Sequence, residues 1–176
     1  MTAIFSFPPV VSSDAKILIL GSMPGIKSLK EVQYYAHPQN SFWFIIESLF
    51  GIDRTLGYKQ RIVLTQNKNI AIWDVLKTCR REGSLDSDIE SESVVPNDFE
   101  AFLKKYKNIK FVFFNGAKAE QVYKKHILSD LPDSFDYLKY QRLPSTSPAH
   151  AAISKEEKLK HWSVIKECLA SENNKP

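Results

Sequence analysis

Asn40 carries a carboxamide that can orient a water molecule or hold a ligand, and it stands just before the helical pattern SFWFIIESLF. An Asn in that place can equally cap the helix. The two roles are compatible when capping uses only one face of the amide. Asp74 closes the apolar run IAIW. A carboxylate there can accept two hydrogen bonds and read a ligand edge, or serve as a cap or ion-pair partner for Lys77, Arg80 or Arg81. Tyr34 and Tyr35 offer rings for stacking on a flat ligand, or for the core. His37 is biased toward an extended backbone by Pro38, and suits a structural hydrogen bond or catalysis. Gly21 and Gly25 flank Pro24 in GSMPG, a stiff loop able to present backbone N–H groups to a polar ligand. It lacks the GxxxxGK(S/T) pattern of a phosphate-binding loop. Ser145, Thr146, Ser147 and Pro148 make a hydroxyl-rich segment that can clamp phosphates or simply turn the chain.

Ser147, His150 and Asp74 have the residue types of a hydrolytic triad. No GxSxG elbow is present, and serine and histidine three apart on one loop do not form a recognised triad. The two cysteines, Cys79 and Cys168, are far apart and neither lies in a CxxC pair. No metal site and no cofactor is therefore expected. The 176 residues suit a single domain over 1–176, and 43% hydrophobic with 25% charged residues is ordinary for a globular chain. No apolar run approaches the roughly 18–20 residues of a membrane span. The opening MTAIFSFPPVVSSDAK lacks a basic start followed by an apolar block, so no signal peptide and a cytoplasmic location are expected. A net charge of +4 permits a polyanionic partner without requiring one.

These residues need elements to position them. KILILGS (16–22), NIAIWDV (69–75) and IKFVFFNG (109–116) are continuous apolar runs, as expected of strands covered on both faces. YLKYQRLPS (137–145) is a weaker fourth. Helical patterns lie between them. Asn40 and Gly51 bracket one helix, Asn97-x-x-Glu100 opens a second, Gly116 a third, and Ser154-x-x-Glu157 a last one. The alternation predicts a three-layer α/β/α sandwich with a mainly parallel four-stranded central sheet. Ligands of such sheets bind beyond the carboxyl ends of the strands. Residues 79–96 form the longest non-periodic stretch, and a loop of that length is often functional.

GSMPG, with Ala36, His37, Pro38, Asn40, Phe42 and Trp43 at matching spacing, resembles the first motif of the mismatch-specific uracil-DNA glycosylases. LPSTSPAHA (143–151) resembles the second motif of the uracil-DNA glycosylase superfamily. Met23 stands where the mismatch enzymes carry a water-positioning Asn, and Leu143 where relatives often carry His or Asn. Together with REGSLDS (81–87), the pattern is similar to the hypoxanthine-DNA glycosylase, or DNA-deoxyinosine glycosylase, branch. The resemblance implies a monofunctional enzyme that flips a deaminated base from DNA and hydrolyses its glycosidic bond. It assigns catalysis to Asn40. It assigns the base pocket to Gly21, Ser22, Met23, Pro24, Gly25, Tyr35, His37 and Asp74, with Tyr35 stacking on the base. It assigns DNA contact to Ser145, Thr146, Ser147, Pro148, Ala149 and His150. The expected partner is DNA containing a deaminated base, met by a monomer. An ionised Asp74 would accept from the N1–H of hypoxanthine and repel the bare N1 of adenine, while backbone N–H groups of 21–25 meet O6. A uracil- or thymine-specific mismatch enzyme and a non-catalytic nucleic-acid-binding module are the alternatives.

Overall fold

Runs of apolar residues build the centre of the molecule. The computed structural model describes residues 3–173. In chain order the regular elements are β1 (Ile4–Phe5), β2 (Ile17–Gly21), α1 (Ile26–Glu31), α2 (Phe42–Phe50), α3 (Tyr58–Asn67), β3 (Ile70–Asp74), β4 (Leu76–Cys79), β5 (Val95–Pro96), α4 (Phe99–Lys105), β6 (Phe111–Asn115), α5 (Ala117–His126), β7 (Lys139–Leu143), α6 (Lys155–Trp162) and α7 (Val164–Asn173). Strands β3, β2, β6 and β7 lie side by side in that order, all parallel. Every residue of β2 and β3 is buried, and β6 is buried through Phe114. Successive strand side chains point to opposite faces, so both faces of this sheet are covered. Strand β7 buries only Leu143 fully, as suits an edge. The expected α/β/α sandwich is the observed one.

The differences are local. A small antiparallel sheet, β1-β4-β5, was not foreseen. Its strands are two to four residues long, too short for a readable pattern. Helix α3 was also missed, because its polar sequence YKQRIVLTQN shows little amphipathic order. Helix α2 is capped by Ser41 rather than Asn40. Helix α4 is capped by Asp98, whose side chain accepts from Ala101 N–H at 2.9 Å. Asn97 instead donates its Nδ2–H to the Asp74 carbonyl at 2.9 Å, and so braces the end of β3. Ser154 does cap α6, accepting from Glu157 N–H. The single last helix expected there is broken at Ser163 into α6 and α7. Residues 79–96 are more ordered than a plain loop, with an Arg81–Ile89 bridge and two short 3-10 turns.

Candidate active site

The carboxyl ends of all four parallel strands open into one cleft of about 420 Å³. That volume lies within the usual range for small-ligand sites. The GSMPG loop leaves β2, Asp74 ends β3, Asn115 ends β6, and residues 144–150 follow β7. Every residue nominated from the sequence lines this cleft. So do Asn115, Ser84, Asp86 and Lys118, which were not nominated. Asn115 carries the same signal as Asp74, a polar residue closing an apolar strand. Asp86 lies inside the REGSLDS motif, which sequence alone left without a role.

Asn40 sits half-buried at the turn into α2. Its Oδ1 accepts from Phe42 N–H at 2.9 Å. That bond satisfies one donor of the helix start and fixes which way the amide points. Oδ1 keeps a second lone pair, and the Nδ2 protons make no hydrogen bond among the described residues. The capping and ligand roles therefore coexist, although the formal cap is Ser41. His37 is exposed, and its Nδ1 accepts from Gln39 N–H at 3.2 Å, which stiffens the same turn.

Tyr35 adopts a positive φ of 57°, an uncommon conformation for a bulky residue. Phe42 covers one face of its ring, with centroids 3.9 Å apart and planes 19° from parallel. The Tyr35 hydroxyl is buried near the Asn115 side chain but has no well-formed hydrogen bond among the described residues. Burial, then the nearby Asp74 carboxyl, raises its pKa.

Asp74 is 3% exposed. Its Oδ1 lies 2.5 Å from where a Cβ on Gly21 would be, so only glycine at 21 admits the carboxyl. Its Oδ2 is buried with no hydrogen-bond partner among the described residues. Arg81 is close enough to act on it, but donates to the carbonyls of Pro24 at 2.6 Å and Gly83 at 3.0 Å instead. Asp86 accepts from the Ser22 hydroxyl at 2.5 Å, one residue from Gly21. Burial, and then the like charge of Asp86, push the Asp74 carboxyl up to about 8, against a smaller opposing pull from Arg81. The expectation of an ionised Asp74 is therefore corrected: at neutral pH the acid form dominates. Asp86 is also raised, chiefly by burial and opposed by its bond from Ser22.

The serine-rich segment is tied down from three sides. The Asn115 side chain bridges Thr146, donating to Oγ1 at 2.9 Å and accepting from its N–H at 2.8 Å. The Thr146 carbonyl accepts from Ser41 N–H at 2.9 Å. Thr146 is fully buried, so it anchors the segment and presents nothing to a backbone phosphate. A Cβ on Gly116 would meet Ser145 Cβ at 2.9 Å, so glycine lets the segment pass close over α5. Lys158, only 4% exposed, donates to the carbonyls of His150 at 2.7 Å and Ser147 at 3.4 Å. Pro148, Ala149 and His150 stand exposed at the mouth. Among the described residues no three His, Cys, Asp or Glu side chains gather as a metal site.

A parallel α/β/α sheet with its cleft at this rim is the architecture of base-excising enzymes that the motifs implied. The uracil DNA glycosylase superfamily model matches residues 8–169, and the chain belongs to that superfamily. Over 160 residues it is 32% identical to the hypoxanthine DNA glycosylase of Methanosarcina acetivorans, covering 90% of this chain and 95% of the relative. It is 40% identical to the hypoxanthine DNA glycosylase of Methanosarcina barkeri over 114 residues, 64% of this chain and 71% of the relative. A solution NMR structure from Methanosarcina acetivorans, provisionally named a uracil DNA glycosylase, matches with a TM-score of 0.75 at 29% identity. That match covers 94% of this chain and 99% of the other.

Proposed function

We propose that this protein is a DNA glycosylase that excises hypoxanthine by hydrolysis of the N-glycosidic bond and leaves an abasic site. The observation that carries the reading is the meeting of Asn40, Tyr35 and the unpaired Asp74 Oδ2 in one cleft. Burying a polar atom without a partner costs free energy, so such atoms beside a cavity are natural ligand contacts. The flipped base lies against the Tyr35 ring, which Phe42 supports from one side. Its N1–H/O6 edge meets Asp74. A neutral carboxyl matches that edge twice, accepting from N1–H and donating to O6. Asn40 holds the attacking water through the free lone pair of Oδ1 and stands beside the sugar as positive charge grows there. Met23, buried in the cleft wall, has no group that could hold this water. Ser145, Ser147 and the exposed tip at 148–150 meet the DNA backbone. The unit acts as a single-domain monomer in the cytoplasm.

A neutral Asp74 changes the account of base choice. It can pair with the adenine edge too, donating to N1 and accepting from the amino group. Charge repulsion therefore does not reject adenine at neutral pH, and the task falls to the backbone donors of 21–25 that suit O6. The test uses duplexes that each carry one hypoxanthine, uracil, xanthine or adenine, followed by alkaline cleavage at abasic sites. Hypoxanthine should be removed fastest. Tight binding with every base left in place would sink the reading.

A further inference from the structure

We propose that Asp74 is a catalytic acid, whose Oδ2–H donates to O6 of the bound hypoxanthine and passes its proton to the base as the C1′–N9 bond breaks. The proposal rests on the reading of this cleft as the hypoxanthine pocket.

Its support is geometric. Asp74 is almost fully buried and lines the cleft. Among the described residues no cation lies within ion-pair distance of it: Arg81 donates through Nε to Gly83 and through Nη2 to Pro24, leaves its buried Nη1 without a partner, and acts on the carboxyl only at longer range. A second carboxyl, Asp86, is fixed on Ser22, next to the glycine against which Asp74 rests. A buried carboxyl with no ion-pair partner and with another acid close by is pushed toward its protonated form. The charged and titratable groups that act on it are Asp86 and Arg81 from the 79–96 segment, and Tyr34, Tyr35 and Tyr58 from the segment between β2 and β3. Asp86 favours the protonated form, Arg81 opposes it, and the tyrosines remain neutral. The acid form thus has, at Oδ2, an O–H with no acceptor among the described residues. A donor without a partner, on the wall where the base is read, is placed to give its proton to that base.

The step balances as follows. The C1′–N9 bond breaks and its electron pair goes to the purine, where negative charge spreads toward O6. The O–H bond of Asp74 breaks as an O6–H bond forms, and the base leaves as its neutral 6-hydroxy tautomer. Water held by Asn40 forms the new C1′–O bond. Its surplus proton goes to solvent, from which Asp74 regains one. Water is consumed, hypoxanthine and an abasic sugar are produced, and the enzyme is unchanged. A hydrogen bond that strengthens as charge develops lowers the barrier rather than merely tightening binding.

Asp74→Asn separates reading from acid catalysis. Its carboxamide still accepts from N1–H and donates to O6, but it cannot release a proton. Single-turnover excision is followed from about pH 6 to 10, with binding measured in parallel. The parental rate should fall as pH rises through about 8. Asp74→Asn should bind hypoxanthine DNA within about threefold of the parent. It should excise about a hundredfold more slowly, with no fall near that pH. Asp86→Asn, which keeps an acceptor for Ser22, should move the parental fall to lower pH. Parental excision by Asp74→Asn would overturn the acid role and leave the pocket intact. A fall that persists unchanged in Asp74→Asn would also overturn it, by assigning the titration to the substrate's own N1–H. Intact hypoxanthine under every condition would overturn the function itself, and the acid with it.

Discussion

Buried acids weigh on stability as well as on chemistry, and Asp74 shows how. Its folded pKa is raised to about 8 by burial and by Asp86, against roughly 4 for an exposed Asp. Between those values the folded state holds a proton that the unfolded chain releases. Stability is therefore highest below the unfolded pKa and falls as pH rises, by about 1.4 kcal/mol per unit, until the folded acid ionises near pH 8. Asp74→Asn carries no such proton. Its thermal stability relative to the parent should rise steadily from pH 5 to pH 8 and then level off, as read by unfolding scans at each pH. A stability difference that does not vary with pH would mean that Asp74 is ionised in the fold. The sequence shows Asp74 at the end of a strand, as in the structure, but not its raised pKa, because Asp86 lies twelve residues on and only the fold brings the two together. Asn115 was passed over for a related reason. It precedes Gly116 and reads as part of a turn, whereas its amide is the brace of Thr146.

The serine-rich segment owes its shape to the elements around it. Helix α6 supplies Lys158 from below, and Trp162 donates its Nε1–H to the Pro144 carbonyl at 3.0 Å. Burial lowers the Lys158 pKa, yet its ammonium sits under two carbonyls of the segment at the mouth of the cleft. Lys158→Met keeps the apolar stem and removes those bonds. Affinity for hypoxanthine duplex should fall about tenfold, equivalent to 1.4 kcal/mol. Fold stability should drop by about 1 kcal/mol, because the His150 carbonyl loses its donor while the Ser147 carbonyl keeps the His150 N–H. Titration against a labelled duplex checks the first figure, and an unchanged Kd would mean the segment holds its shape without Lys158. At this scale the sequence was readable where apolar runs were long. The four parallel strands and the caps at Gly51 and Ser154 follow from pattern alone. The shifts were not readable, since Asn40 still serves the start of α2 from one residue before the formal cap, and Asn97, an equally good capping residue, is used to brace β3 instead.

Across the whole molecule, the candidate site is built from four strand ends converging on one rim, far apart in sequence but adjacent in the sheet. The fold order, with β2 between β3 and β6, places the GSMPG loop between Asp74 and Asn115. A chain with net charge +4 that grips DNA near this rim should lose affinity steeply with salt. The log–log slope should be about 0.9 per phosphate neutralised, for a handful of contacts. A flat response from low to physiological salt would argue against a DNA substrate. The central claim is that Asn40 performs hydrolysis in this cleft, and the most direct measurement compares Asn40→Ala with the parent. Both are mixed in excess with a hypoxanthine duplex, and released base is followed in a single turnover. The account predicts a rate lower by about a hundredfold or more, with a stability loss of only about 1 kcal/mol from the missing bond to Phe42. A folded Asn40→Ala protein that releases hypoxanthine at the parental rate would contradict it.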